Sequence, residues 1–377
     1  MIINENINKK IIPIASGKGG IGKTVIAGNL AIETALNGKN TIVVDLDLGG
    51  SNLHTILGLR NTNQGIGNFF AGRDVKFENI LVQTPYNNLR FIPGDVLVAG
   101  TADMQSSQIN RLIDHILALE ADYIFLDLGS GSGIRVLDFF LISNSGFVVI
   151  TPQTTSILNA FGFFKNLVFR FLQRAFSSNN SVISCIREAL KERKPGYAPP
   201  MEYILERIHN KNEASGQKVR NYLATLHPKI IINMASSPDD IQVGEKLRDL
   251  VREQFGIDLE CMGLIYSDKA IDESIAAYKP VVVSRRDSLA AREIVRIAQK
   301  ILQSERFPIM PLELDYYADS FELARIEADG DFEELRATMT SEEALDFGPL
   351  IGIINMQKKE IAELRSTVRM LTMKNRM

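Results

Sequence analysis

Eight consecutive residues, Gly17-Lys18-Gly19-Gly20-Ile21-Gly22-Lys23-Thr24, restrict what this chain can fold into. They fit G-x-x-x-x-G-K-[ST]. A β-rich run at 11–15 precedes them and a helix-like stretch near 23–37 follows, which is the strand–loop–helix setting that the spacing requires. Glycines let backbone N–H groups close around phosphate oxygens where side chains would block the approach. The dipole of the following helix adds positive potential at the same place. The motif assigns Lys23 to the β- and γ-phosphates of a nucleotide and the Thr24 hydroxyl to Mg²⁺. Lys18 is a second lysine inside the loop, and the phosphates of its own chain do not need it.

Beyond the loop, short β-rich runs alternate with amphipathic stretches. Strands are expected at 11–15, 41–45, 89–92, 123–127 and 147–150. Helices are expected near 23–37, 105–120, 134–143 and 155–176. Most of the strand runs are continuously apolar, as for strands buried on both faces of a parallel sheet. The alternation predicts a doubly wound, mostly parallel α/β sheet with helices on both faces. The rhythm breaks between about 177 and 228. Residues 187–229 hold nine Lys/Arg against five Glu, and Pro195, Pro199 and Pro200 cluster there. A helical insertion with an exposed charged face is expected. The rhythm then resumes with strands at 229–234, 261–265 and 281–283 and helices at 239–255, 269–277 and 289–304. One domain is expected over 10–306.

Two strand ends are acidic. Asp45 and Asp47 close the second strand, where open α/β sheets bind ligands, and alternation puts them on one face. Either can orient an attacking water or the shell of Mg²⁺. The run 123–127 ends in Asp127, an apolar strand closing on a carboxylate that holds Mg²⁺ directly or through water. The glycine-rich segment 129–133 follows it.

Composition narrows the classes. A formal net charge of -3 gives the whole chain no pull toward a polyanion. Two cysteines, Cys185 and Cys261, cannot build a disulfide framework or a four-thiolate cluster within one chain, and they do not form the C-x-x-C pair expected of an iron–sulfur carrier. No apolar run reaches the 18 or more residues of a membrane span, and no secretory h-region is visible, so a cytoplasmic protein is expected. Residues 313–347 carry twelve Asp/Glu and two Arg, and residues 358–377 carry six Lys/Arg and two Glu. An acidic connecting segment at 307–347 and a basic helix at 348–377 follow. In that helix Leu350, Ile354, Gln357, Ile361, Leu364, Val368 and Leu371 form a heptad seam. It can pack on its own domain, dock on a partner helix, or lie on an anionic membrane surface. Arg285 and Arg286 read as a solvated loop that can also contact DNA phosphates without sequence preference.

The segments KGGIGKT, DLDLGGSNLHTILG, DYIFLDLGSGSG and VVITPQTTSILNAF together resemble the MinD/ParA family of P-loop ATPases, whose phosphate loop is a deviant Walker A. The last two look closest to the MinD-like regulators of flagellar number and placement. The resemblance covers roughly residues 10–175, and 229–300 more loosely. It implies binding of ATP with Mg²⁺ by residues 17–25, Val25 included, and an ATP-state homodimer in which Lys18 crosses to the partner's nucleotide. It implies that Asp47 positions the hydrolytic water and that Asp45 and Asp127 serve the metal. Asn52 matches the asparagine of the first switch, and Asn233 matches the position that reads adenine. A slow, partner-stimulated ATPase is implied, at the inner membrane or a cell pole, with a protein partner on the C-terminal helix or the insertion. The alternative is a nucleotide-binding scaffold with negligible hydrolysis acting through that helix. The insertion is longer than in the plain MinD type, and the N-terminus lacks the glutamine-rich activating motif of the flagellar regulators.

Overall fold

The computed structural model describes residues 9–60, 64–71, 75–94, 104–177, 179–192, 199–303 and 320–338. Its strands are β1 (Lys10–Ser16), β2 (Thr41–Leu46), β3 (Val82–Gln83), β4 (Leu89–Ile92), β5 (Tyr123–Ser130), β6 (Phe147–Ile150), β7 (Lys229–Ala235) and β8 (Glu260–Tyr266). They form one sheet in the order β3-β4-β2-β5-β1-β6-β7-β8. Every pairing is parallel except the short β3, which runs antiparallel to β4. The β2–β5 register sets Asp45 opposite Asp127.

Helices cover both faces, as the continuous apolar strands require. α1 (Lys23–Leu36) follows β1, and two short helices, α2 (Leu53–Ile56) and α3 (Ile66–Ala71), follow β2. α4 (Ser106–Ala118) precedes β5, and α5 (Ile134–Phe140) joins β5 to β6. After β6 come α6 (Thr154–Ala175), α7 (Asn180–Lys191), α8 (Met201–Lys211) and α9 (Glu213–Leu223). α10 (Ile241–Phe255) joins β7 to β8, and α11 (Lys269–Ala276), α12 (Val281–Ser284), α13 (Leu289–Gln303) and α14 (Ser320–Thr338) complete the described chain. On one face Ile12, Ile14, Phe125 and Ile231 share a buried cluster with residues of α1, α12 and α13. On the other, Ile230 and Ile232 meet α10 at Gly244.

The insertion is α7 to α9, and Pro200 is the N-cap of α8, which accounts for the break in helix there. Some of its charges pair internally. Arg207 pairs with Glu188 at 3.0 Å and with Glu192, and Arg220 pairs with Glu202 at 2.6 Å.

Two expectations need correction. The run 281–283 is helical, although its valines favour strands. Pro280 caps the turn, Val281 and Val282 are buried, and the Val282 N–H donates to Asn29 Oδ1 on α1 at 3.2 Å. The domain also does not end near Arg306. One compact unit runs to Ala328 and a second begins at Asp329. Within the first unit Phe321 is 1% exposed, Ser320 Oγ accepts the Cys261 N–H at 2.9 Å, and Lys300 pairs with Glu327 at 2.5 Å. Of the second unit only 329–338, the remainder of α14, is described. The heptad helix expected at 348–377 lies outside the described residues, as does most of the acidic segment.

Candidate functional site

β1 ends in a loop that glycine alone permits at two points. A Cβ on Gly17 would lie 2.5 Å from the backbone of Asn159, so α6 approaches here at backbone distance. Gly22 has φ 83, a left-handed conformation that side chains disfavour. It is also the N-cap of α1, and no side chain caps that helix. The first N–H groups of α1 therefore point from the loop without a helical partner, the arrangement that anions fill. Ser16 Oγ donates to the Lys18 carbonyl at 2.9 Å, and the Gly131 N–H to the Ser16 carbonyl at 2.8 Å, tying the loop to the end of β5.

The loop borders an open cleft of about 420 Å³. Ser16, Gly19, Gly20, Ile21, Gly22, Lys23, Thr24 and Val25 line it, together with Asp47 and Asn52. Lys23 is buried and its Nζ lies 2.6 Å from Asp127 Oδ1. Lys18 is exposed, and its Nζ reaches Gln153 Oε1 at 3.5 Å. The two lysines of one loop thus have opposite environments. Asp47 is half-buried, and a Cβ at Gly129 would sit 3.4 Å from its Oδ1, so the glycine leaves room beside the carboxylate. Asn52 is exposed and donates to the Gly50 carbonyl at 2.8 Å.

The strand-end carboxylates differ in use. Asp45 is fully buried and accepts from Ser51 Oγ at 2.6 Å, from the Asp47 N–H at 3.1 Å and from the Leu53 N–H at 3.2 Å. Burial, and then the charge of Asp127, push its carboxyl up to about 7. Asp45, expected near the metal, fastens the 47–53 loop to β2 through these bonds. Asp127 is also fully buried, and burial raises its pKa, opposed by the Lys23 ammonium and by hydrogen bonds from Lys23 and Thr24. Its Oδ2 is buried without a hydrogen-bond partner. A hydroxyl and a carboxylate with an open oxygen fit Mg²⁺, which takes hard oxygen ligands and shares them with phosphates. Among the described residues no group of three or more His, Cys, Asp or Glu could hold a metal alone.

Asn233 is 4% exposed and does not line the cleft. Its Nδ2 donates to the Ile21 carbonyl at 2.8 Å, beneath the loop. The Arg285 and Arg286 side chains are also engaged. Arg286 makes two bonds to the buried Glu33 of α1, at 2.7 and 2.8 Å, and Arg285 pairs with Glu273. Residues that the sequence did not single out also line the cleft: Thr55 and Ile56 on α2, Ser130 on β5 and Ile275 on α11. Ser130 sits in the glycine-rich segment after Asp127, which signalled the region. Nothing local to Ile275 marks it, because α11 reaches the cleft only through tertiary folding.

The ParA family model, described as NUBPL iron-transfer P-loop NTPase, matches residues 7–167. The chain is 32% identical over 163 residues to the flagellum site-determining protein YlxH of Helicobacter pylori, covering 42% of this chain and 53% of that protein. It is 23% identical over 307 residues to an iron–sulfur cluster carrier protein of Saccharolobus solfataricus, covering 79% of this chain and 84% of that protein. The chain spans about half the length of the first relatives it matches. Its fold is similar to that of the septum site-determining protein MinD from Pyrococcus horikoshii, complexed with Mg-ADP. The TM-score is 0.53 at 21% identity, over 78% of this chain and 96% of that one. The phosphate loop, the sheet order and these likenesses agree: the chain has a P-loop NTPase fold similar to that of MinD, and its residues 7–167 match the ParA family model.

Proposed function

We propose that the chain is an ATP-dependent dimerising switch that binds and slowly hydrolyses MgATP and, in its ATP state, positions or recruits a cellular structure. The contrast between the two loop lysines carries this reading. Lys23 is buried on the metal-side carboxylate, whereas Lys18 stands exposed at the rim with only a 3.5 Å contact to Gln153. A cation that its own site does not use suits a phosphate brought by a second copy. The rim is also apolar where such a copy would sit. Ile134 is 62% exposed just after the glycine-rich segment, and Leu158 is 65% exposed beside Asn159, the residue that touches Gly17.

In this reading the N–H groups of α1 and the Lys23 ammonium hold the phosphates, and the site is arranged for positioning and charge stabilisation. Bound Mg²⁺, held by Thr24 and Asp127, would neutralise phosphate charge. Asp47 orients the attacking water, and Asn52 sits on the adjoining switch. Asp45 acts one layer back, by fixing the loop that carries Asp47. The ATPase domain spans residues 10–328, with α7 to α9 as its insertion. The acidic segment and the basic C-terminal helix then carry partner or membrane contact. Among the described residues no helix is long and apolar enough to cross a membrane, so any membrane contact made by this part of the chain is peripheral. MinD-like relatives act in flagellar and septum placement, and this chain is assigned a task of that kind. Iron–sulfur delivery is disfavoured because Cys185 and Cys261 are both buried and lie on separate elements.

Nucleotide binding and phosphate release test the assignment. Lys23→Ala is expected to abolish MgATP binding. Asp47→Ala is expected to keep binding and lose about a hundredfold in phosphate release. Release at the wild-type rate by Asp47→Ala would remove Asp47 from the reaction.

A further inference from the structure

Asn233 lies at the end of β7, two strands away from β1, yet its side chain reaches the loop that follows β1. Its Nδ2 donates to the Ile21 carbonyl at 2.8 Å, and the residue is 4% exposed. The approach is close enough that a Cβ on Gly22 would meet Nδ2 at 2.3 Å. The strand is distorted at the same place. Met234, the next residue, has φ 56, and the β7–β8 register shifts between Ile232 and Ala235. A non-glycine residue in the left-handed region carries strain that its surroundings must hold in place. Here the strain adjoins a side chain of β7 that is hydrogen-bonded to the phosphate loop.

The consequence follows from peptide geometry. The Ile21–Gly22 peptide is trans and planar, so its carbonyl and the Gly22 N–H point in opposite directions. Holding the carbonyl down on Asn233 turns the Gly22 N–H toward the opposite side, where the cleft lies and Gly22 is part of the lining. With its left-handed φ, Gly22 could otherwise rotate that peptide and present a carbonyl to the anion. We infer that Asn233 is a positioning residue: its buried amide locks the Ile21–Gly22 peptide so that the Gly22 N–H faces the phosphates. This rests on the reading of the cleft as a nucleoside-triphosphate site.

The inference separates phosphate from base, and so does its test. The full chain, Asn233→Asp and Asn233→Ala are titrated calorimetrically with MgATP, MgGTP and Mg-tripolyphosphate. A lock on the loop predicts that both variants lose about tenfold or more for all three ligands, as removal of one buried hydrogen bond implies. The ATP-to-GTP ratio stays at its wild-type value. Loss confined to MgATP, with tripolyphosphate binding within twofold of wild type, would overturn it and restore a base-reading role. If the wild-type chain takes up neither MgATP nor tripolyphosphate, the reading of the cleft itself fails, which is a different result. Should both variants misfold, the unsubstituted protein still decides. With asparagine labelled by nitrogen-15, the Asn233 side-chain amide signal is expected to stay slow to exchange and to take the same position with tripolyphosphate as with ATP. A signal that moves with ATP alone would overturn the inference.

Discussion

Glu33 is a carboxylate in the last turn of α1 with 2% of its side chain exposed, and among the described residues Arg286 supplies its cation through two bonds at 2.7 and 2.8 Å. The pair fastens the helix that begins at the phosphate loop to the segment after α12. Removing Arg286 leaves the carboxylate buried without its cation. Arg286→Ala is expected to cost about 3 kcal/mol, at the low end for such a pair because the arginine is itself half-exposed. Adding Glu33→Gln should recover at least half of that, measured by urea unfolding. A loss no larger in the single than in the double variant would show that the pair contributes little. The same geometry disfavours a DNA role for these arginines, so Arg286→Ala is not expected to change DNA retention. The motif residues were legible in the sequence because a phosphate loop is defined by backbone conformation over eight adjacent positions. The partner of Arg286 was not, since it lies 253 residues away and only tertiary folding brings it near.

Among the elements, α14 shows how much packing a charge count hides. The acidic composition of 313–347 suggests a solvated segment, yet Phe321, Ala324 and Ala328 are all buried, at spacings of three and four residues. That helical pattern was present within a region read for its charge. Phe321 seats on Gly244 of α10, where an added Cβ would lie 2.8 Å from Phe321 Cε1 and 2.9 Å from Ile230 Cδ1. Alanine is favoured over glycine in helices by about 1 kcal/mol. Overpacking wins here, and Gly244→Ala is expected to destabilise by about 1–3 kcal/mol. Phe321→Ala is expected to cost about 3–5 kcal/mol. Urea midpoints check both, and a Phe321→Ala change below about 0.5 kcal/mol, the range of ordinary surface substitutions, would mean that α14 is not part of the fold. The strand expectation at 281–283 failed for a related reason. β-branched residues mark burial as readily as strand, and Pro280 followed by the Asn29 contact decided for a turn of helix.

For the whole molecule, the mostly parallel sheet, the helices on both faces and the position of the cleft at strand ends were implied by the strand–helix alternation, whereas the strand order comes from the structure. The insertion was legible as helical, although its internal ion pairs were not. The central claim concerns two copies of the chain: a site furnished by one loop is completed by Lys18 of another. Light scattering after size exclusion, with ADP and with ATP, tests it on Asp47→Ala and on Asp47→Ala/Lys18→Ala. The account predicts that Asp47→Ala is a dimer with ATP and a monomer with ADP, and that replacing Lys18 as well abolishes the dimer. A monomer in every state, or a dimer indifferent to nucleotide and to Lys18, would contradict it.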